Sequence, residues 1–98
     1  NYQEELKYHQ KKLQIKLQLG DKGGEGRAYG NIGNAHYSLG NYQDALKYHH
    51  KDLEIALQLG DKGGEGSAYG NIGLAHSIQQ AASVHHGESF HRCINLRF

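Results

Sequence analysis

Several residue types are scarce or absent in this 98-residue chain, and each shortage narrows the classes of protein it can be. The sequence has no proline, methionine or tryptophan and a single cysteine, Cys93, which excludes an internal disulfide framework. Charge is nearly balanced at a net +1, which argues against binding to nucleic acid or a membrane surface. No apolar run approaches the roughly 20 residues that span a bilayer. We therefore expect one domain in the cytoplasm, and the first residue, Asn1, favours a piece of a longer chain.

What the chain does contain is an internal repeat of 40 residues. Residues 1–36 are identical to residues 41–76 at 28 of 36 positions, and the match ends there. We interpret 1–79 as a repeat fragment holding not quite two copies of one unit. Residues 80–98 resemble neither copy. Residues 79–82 favour an extension of the fourth helix by a turn or two, which Gly87 would end, and beyond it we expect a divergent tail that is either disordered or caps the exposed end of the repeats.

Within each copy the apolar residues recur three or four positions apart, which is the spacing of one face of an α-helix. Glycine followed by aspartate or asparagine separates these segments at residues 20–21, 40–41 and 60–61, and predicts a helix end followed by a new start. Links this short predict antiparallel packing of neighbours. The pattern therefore predicts an all-α fold with helices over 2–19, 22–39, 42–59 and 62–79.

The second and fourth of these helices contain many interior glycines, each of which costs about 0.5–1 kcal/mol relative to alanine. Gly33 and Gly73 fall among the apolar positions, which predicts that another helix approaches closely at both. We expect leucine at either position to overpack the contact. Gly23 lies in a first turn instead, and we expect Gly23→Ala to stabilise the chain slightly.

The spacing of tyrosine, glycine and histidine resembles the tetratricopeptide repeat. That motif reads W-x2-L-G-x2-Y, followed by A-x3-F and a proline. The corresponding residues here are Tyr29-x2-Ile32-Gly33-x2-His36, Ala45-x3-His49 and Tyr69-x2-Ile72-Gly73-x2-His76. Histidine replaces three of the usual aromatics, and there is no proline. The 40-residue unit resembles the longer type found in G-protein-signalling modulators and kinesin light chains.

This resemblance implies antiparallel helix-turn-helix repeats stacked as a short right-handed α-solenoid. Such a protein acts as an interaction scaffold that binds a peptide segment of a partner on its concave face. Carried over residue by residue, the resemblance implies peptide-binding roles for Arg27, Asn31, Asn34, Tyr37 and Asn71. Arginine suits bidentate recognition of a carboxylate, and amide side chains both donate and accept hydrogen bonds.

A structural interpretation competes with this one. Asn31 and Asn71 would then brace neighbouring helices, and the repeats would be spacers in a longer array with no ligand of their own. Ser67 and Leu74 stand in the second copy where Arg27 and Asn34 stand in the first, which weakens the binding interpretation. In either case, we expect exposed ends of the repeat stack to favour self-association.

No motif in the chain predicts catalysis, a cofactor or a metal. The glycine-rich segment 20–26 lacks the order of a phosphate-binding loop and joins two predicted helices. The repeat itself accounts for the pairs of equivalent histidines. We therefore expect no enzyme and no bound ion, although the tail offers a zinc-type set with non-standard spacing: His85, His86, His91 and Cys93.

Overall fold

Four α-helices make up nearly all of the chain that the computed structural model describes, which is residues 1–88, with side chains described up to residue 81. The helices are α1 (Tyr2–Leu19), α2 (Lys22–Ser38), α3 (Tyr42–Leu59) and α4 (Lys62–Glu88). Within residues 1–88 there is no β-strand. The predicted all-α class is confirmed.

Glycines lie in the turns that end α1, α2 and α3, and an aspartate caps the beginning of α2. Gly20 and Gly60 adopt left-handed conformations, with φ of 69° and 67°, and their N–H groups donate to carbonyls in the last turn of α1 and α3. Gly40 also has positive φ, 83°, in the turn after α2. At the start of α2, the Asp21 carboxylate accepts a hydrogen bond from the Gly24 N–H at 2.9 Å. Glycine and aspartate therefore act here as the sequence predicted.

Helix α4 continues past residue 79, where the sequence predicted its end, and runs to Glu88. The reason lies in the residues that replace the α2–α3 turn. Gln80 occupies the position equivalent to Gly40, so no glycine is present to take the left-handed conformation, and Ala81 favours a helix. Residues 89–98, which include His91 and Cys93, lie outside the described residues, so the expected capping or disordered tail stays a prediction.

The core lies between α2 and α3, with α1 packed on the other side of α2 and α4 on the other side of α3. No residue of α1 is buried. Most of the buried side chains are small, which lets the helix backbones approach closely. The buried apolar residues of this central pair are Ala28, Ile32, Ala35, Ala45, Leu46, Ile55 and Ala56.

His49 lies at the centre of this core, 1% exposed, against a glycine of the facing helix. A Cβ built on Gly33 would lie 2.7 Å from His49 Cε1 and 2.8 Å from Nε2, closer than real Cβ contacts occur. The close approach predicted at Gly33 is confirmed. The same prediction for Gly73 is wrong in this structure, because a Cβ there would meet nothing within 4 Å: no described helix covers that face of α4.

Burial also changes the chemistry of this histidine. Removal from water lowers the pKa of His49, and the neighbouring His50 lowers it further. The buried Nδ1 atom has no hydrogen-bond partner among the described residues. His49 therefore takes the place of an aromatic core residue and is neutral near pH 7.

None of the helices in the described part of the chain combines the length and the apolar character needed to cross a bilayer.

Candidate functional site

A cleft of about 440 Å³ opens where α2, α3 and the beginning of α4 meet. Helix α2 contributes polar side chains and glycines, α3 contributes a carboxylate and apolar groups, and the α3–α4 turn adds a second carboxylate, Asp61. Its size falls within the range of about 300–1,000 Å³ that is typical of ligand-binding clefts. The cleft is therefore the candidate site of this fold.

Four of the five residues implicated by the resemblance line this cleft. Arg27, Asn31 and Asn34 lie on one face of α2, because residues three and four positions apart share a helix face. Asn71 comes from α4, at the position equivalent to Asn31 in the repeat. Arg27 and Asn34 are exposed, whereas Asn31 and Asn71 are half-buried. The fold brings the four together, and their role in binding stays a prediction.

The fifth residue, Tyr37, lies elsewhere. Its ring packs edge-on against Tyr42, with ring centroids 5.5 Å apart and an angle of 66° between the planes. This contact joins the end of α2 to the beginning of α3 and does not line the cleft. The observed contact of Tyr37 is therefore between helices.

Two glycines of α2 allow α3 to approach the cleft closely. A Cβ on Gly30 would lie 2.8 Å from Asp52 Oδ2, and a Cβ on Gly26 would lie 3.1 Å from Ile55 Cγ2. The Asp52 carboxylate therefore rests against the backbone of α2 beside the asparagines. Sequence reasoning missed Asp52; the signal available was Lys12, which has the opposite charge at the equivalent position of the first copy.

One charge of the cleft is already engaged, because the Asp61 carboxylate accepts a hydrogen bond from the Gly64 N–H at 2.9 Å. Asp52 is half-buried, and burial raises its pKa, with the nearby negative charge of Asp61 raising it further. Neither Asp52 nor Arg27 makes an ion pair within the described chain. The cleft therefore offers the Arg27 guanidinium, the Asp52 carboxylate and several amides to another molecule.

The part of the chain with described side chains contains no candidate metal site. No group of three or more histidine, cysteine, aspartate or glutamate side chains is positioned there to hold an ion. The zinc-type set in the tail falls outside this part of the chain. The chemistry that the cleft does offer is hydrogen bonding and charge recognition.

Comparison with known proteins agrees with this architecture. The family model for the tetratricopeptide repeat matches residues 24–85, which is well over half of the chain and runs from α2 into α4. G-protein-signaling modulator 1 of Mus musculus, Rattus norvegicus and Homo sapiens is in each case 50% identical over 34 residues, or 35% of this chain. The aligned part spans only 5% of the length of each relative. The chain belongs to the tetratricopeptide repeat family.

Proposed function

We propose that this chain is a protein-interaction module that binds a peptide segment of a partner in the cleft between α2, α3 and α4. Tetratricopeptide repeats are a non-catalytic scaffold fold that generally mediates protein–protein interactions. The observation that carries the proposal is that Arg27, Asn31, Asn34 and Asn71 line one cleft. Their side chains make no hydrogen bond to any described residue, so their polar groups are available to a ligand.

The chemistry of these groups defines the ligand. The three amides donate to and accept from the backbone of an extended peptide, and Arg27 holds a carboxylate in a bidentate pair. Asp52 and Asp61 accept hydrogen bonds or pair with a basic side chain. We therefore propose a peptide that presents an acidic residue toward α2 and a basic residue toward α3. A cleft of about 440 Å³ holds only a few residues, so one cleft alone binds weakly.

The rival proposal is that these repeats are structural spacers. The structural role considered for Asn31 and Asn71 is to brace adjacent helices, yet neither side chain hydrogen bonds to a neighbouring helix among the described residues. The spacer proposal draws support from the second copy, where Ser67 and Leu74 remove the charged and amide groups of the first copy. A binding experiment separates the two proposals.

The test uses short peptides selected against the chain from a random display library, followed by calorimetry with the enriched peptide. Arg27→Ala combined with Asn34→Ala removes two exposed groups of the cleft. Because a hydrogen bond to a charged group contributes about 1.5–3 kcal/mol, we expect about tenfold weaker binding or worse. The matched control, Gln43→Ala with Lys47→Ala, removes the same kinds of group from the exposed surface of α3 outside the cleft.

The control variant should bind the peptide as the unmodified chain does, and both variants should keep its melting temperature. Equal affinity of the cleft variant, or an equal loss in the control, would refute binding in the cleft. A selection that enriches no peptide would favour the spacer proposal.

We also propose a cytoplasmic location. Its support is the single cysteine, which suits a compartment where thiols stay reduced. Fluorescence microscopy of the tagged chain tests this, and accumulation in a secretory compartment would contradict it.

A further inference from the structure

The two ends of the helix stack are the two halves of one repeat. Helices α2 and α3 form a complete packed pair. A shift of 40 residues relates α1 to α3 and α4 to α2. Helix α4 therefore has a face equivalent to the face of α2 that packs against α3. Helix α1 has a face equivalent to the face of α3 that packs against α2. The α2–α3 contact is a template, in this same chain, for a contact between α4 and an α1 helix.

Helix α4 has a glycine-lined face like that of α2, and no described helix packs on it. In α2, glycines make room for three side chains of α3, in the pairs Gly26 with Ile55, Gly30 with Asp52, and Gly33 with His49. The equivalent glycines in α4 are Gly66, Gly70 and Gly73, and a Cβ on any of them would meet no atom of the described part of the chain within 4 Å. Tyr69 beside them is 53% exposed. This groove has the shape that a helix like α3 fills, and no described residue fills it.

On the α1 side, the matching side chains are exposed. Ile15 is 54% exposed, whereas its counterpart Ile55 is 6% exposed beneath α2. Tyr8 is 65% exposed. Its counterpart, Tyr48, stacks between two rings of α2, with centroids 6.1 Å from Tyr29 and 5.5 Å from His36. The repeat preserves both of those rings in α4, as Tyr69 and His76.

The sequence that follows the repeat in this chain does not match the sequence of α3. Helix α4 continues through residues 79–81, where the equivalent residues of α2 turn back toward α3. The sequence has Ser89, Arg92 and Asn95 at the positions equivalent to His49, Asp52 and Ile55 of α3. Helix α1, in contrast, keeps the histidine and the isoleucine as His9 and Ile15. The helix that matches the α4 groove is therefore α1 of another copy.

We propose that this 98-residue chain associates head to tail with itself, with α1 of one copy packed on α4 of the next in the register of α3 on α2. His9 then lies against Gly73, Ile15 lies against Gly66, and Tyr8 stacks between Tyr69 and His76. Lys12 departs from the template and lies opposite Gly70, where the absent side chain leaves room. Glu5 and Lys16 also depart from it, since they stand where α3 has the buried residues Ala45 and Ala56. The interface joins two different faces, so association does not close at a dimer and continues into longer rows. It lies outside the peptide cleft and does not depend on the proposed function.

Analytical ultracentrifugation of the 98-residue chain over a concentration series tests the proposal. We expect an average mass above the 10.9 kDa of one copy that rises with concentration. Gly73→Leu fills the α4 groove and Ile15→Glu places a charge on the α1 face. Both sites are open in the single chain, so both variants should fold, and each alone should remain at the mass of one copy.

Mixing the two variants gives the decisive result. Gly73→Leu keeps a free α1 face and Ile15→Glu keeps a free α4 groove, so an equimolar mixture should form a dimer and nothing larger. The control, Ser67→Leu, adds the same side chain to α4 on its cleft side and should associate as the unmodified chain does. A constant mass of 10.9 kDa for the unmodified chain, association by either variant alone, or a mixture that stays monomeric would overturn the proposal.

Discussion

Two glycines that occupy the same position in the repeat should respond oppositely to the same substitution. At Gly33 an alanine Cβ would lie 2.7 Å from Cε1 of His49, whose ring is 1% exposed and enclosed on all sides. At Gly73 an alanine Cβ would meet no described atom within 4 Å. The two substitutions are chemically identical and both lie inside a helix, so only the packing differs.

The expected magnitudes follow from two contributions. Replacing glycine with alanine inside a helix stabilises it by about 0.8–1 kcal/mol, and this applies at both positions. Overpacking a filled core costs about 1–3 kcal/mol, and this applies only at Gly33. Gly73→Ala should therefore raise the free energy of unfolding by about 0.8–1 kcal/mol, and Gly33→Ala should lie about 1–3 kcal/mol below it. At about 4–8 °C per kcal/mol for a domain of this size, the melting temperatures should differ by at least about 4 °C.

Circular dichroism melts at a protein concentration low enough to keep the chain monomeric measure both variants. A double-mutant cycle identifies the cause, because Gly33→Ala should cease to be harmful once His49→Ala has removed the ring. Equal shifts in melting temperature for Gly33→Ala and Gly73→Ala would refute the packing of His49 on Gly33. A harmful Gly33→Ala that is unaffected by His49→Ala would refute the ring as the cause.

Two further predictions concern stability. Gly23→Ala should stabilise by up to about 1 kcal/mol, because the nearest atom to a Cβ there is 3.6 Å away. The matched variant Gly24→Ala should destabilise the chain, because its Cβ would lie 2.6 Å from Oδ2 of the capping Asp21. Urea denaturation measures both variants. A Gly24→Ala chain more stable than the Gly23→Ala chain would contradict the geometry of the cap. Burial lowers the pKa of His49, so below about pH 6.5 the unfolded chain takes up a proton that the folded chain does not. The free energy of unfolding should therefore be highest above that pH and fall below it. Urea titrations across this range should show a much weaker fall with His49→Leu. The change with His50→Gln should be smaller, because burial rather than His50 is the main cause of the lowered pKa of His49. A profile unchanged by His49→Leu would contradict the burial of a neutral ring.

Much of the fold could be predicted because the pattern of apolar residues and turns occurs twice in the chain. The helical spacing and the glycine–aspartate pairs were sufficient to predict an all-α structure with short turns. The continuation of α4 to Glu88 is close to the extension that residues 79–82 favour, and it depends on Gln80 replacing the glycine of an earlier turn. The open space at Gly73 could not be read from the repeat at all. The segments 29–36 and 69–76 around Gly33 and Gly73 differ only at Asn34 and Leu74, and the open space comes from the absence of a facing helix among the described residues.

The candidate site was predictable in part for the same reason. Residues spaced along one face of one helix, such as Arg27 and Asn34, can be grouped from sequence alone. The family resemblance adds Tyr37 to them, but its ring packs against Tyr42, a contact between helices that the resemblance does not reveal. Asp52 reaches the cleft from another helix because Gly30 has no side chain, and such a contact depends on tertiary packing.

The central claim is that α2 and α3 pack into one seam around His49, from which the cleft and both end faces follow. Nuclear Overhauser measurements on the isotopically labelled chain test it most directly. Packing of the imidazole on α2 predicts strong cross-peaks between the His49 Hε1 proton and the Hα protons of Gly33. If both residues are assigned and these cross-peaks are absent, the seam does not exist as described.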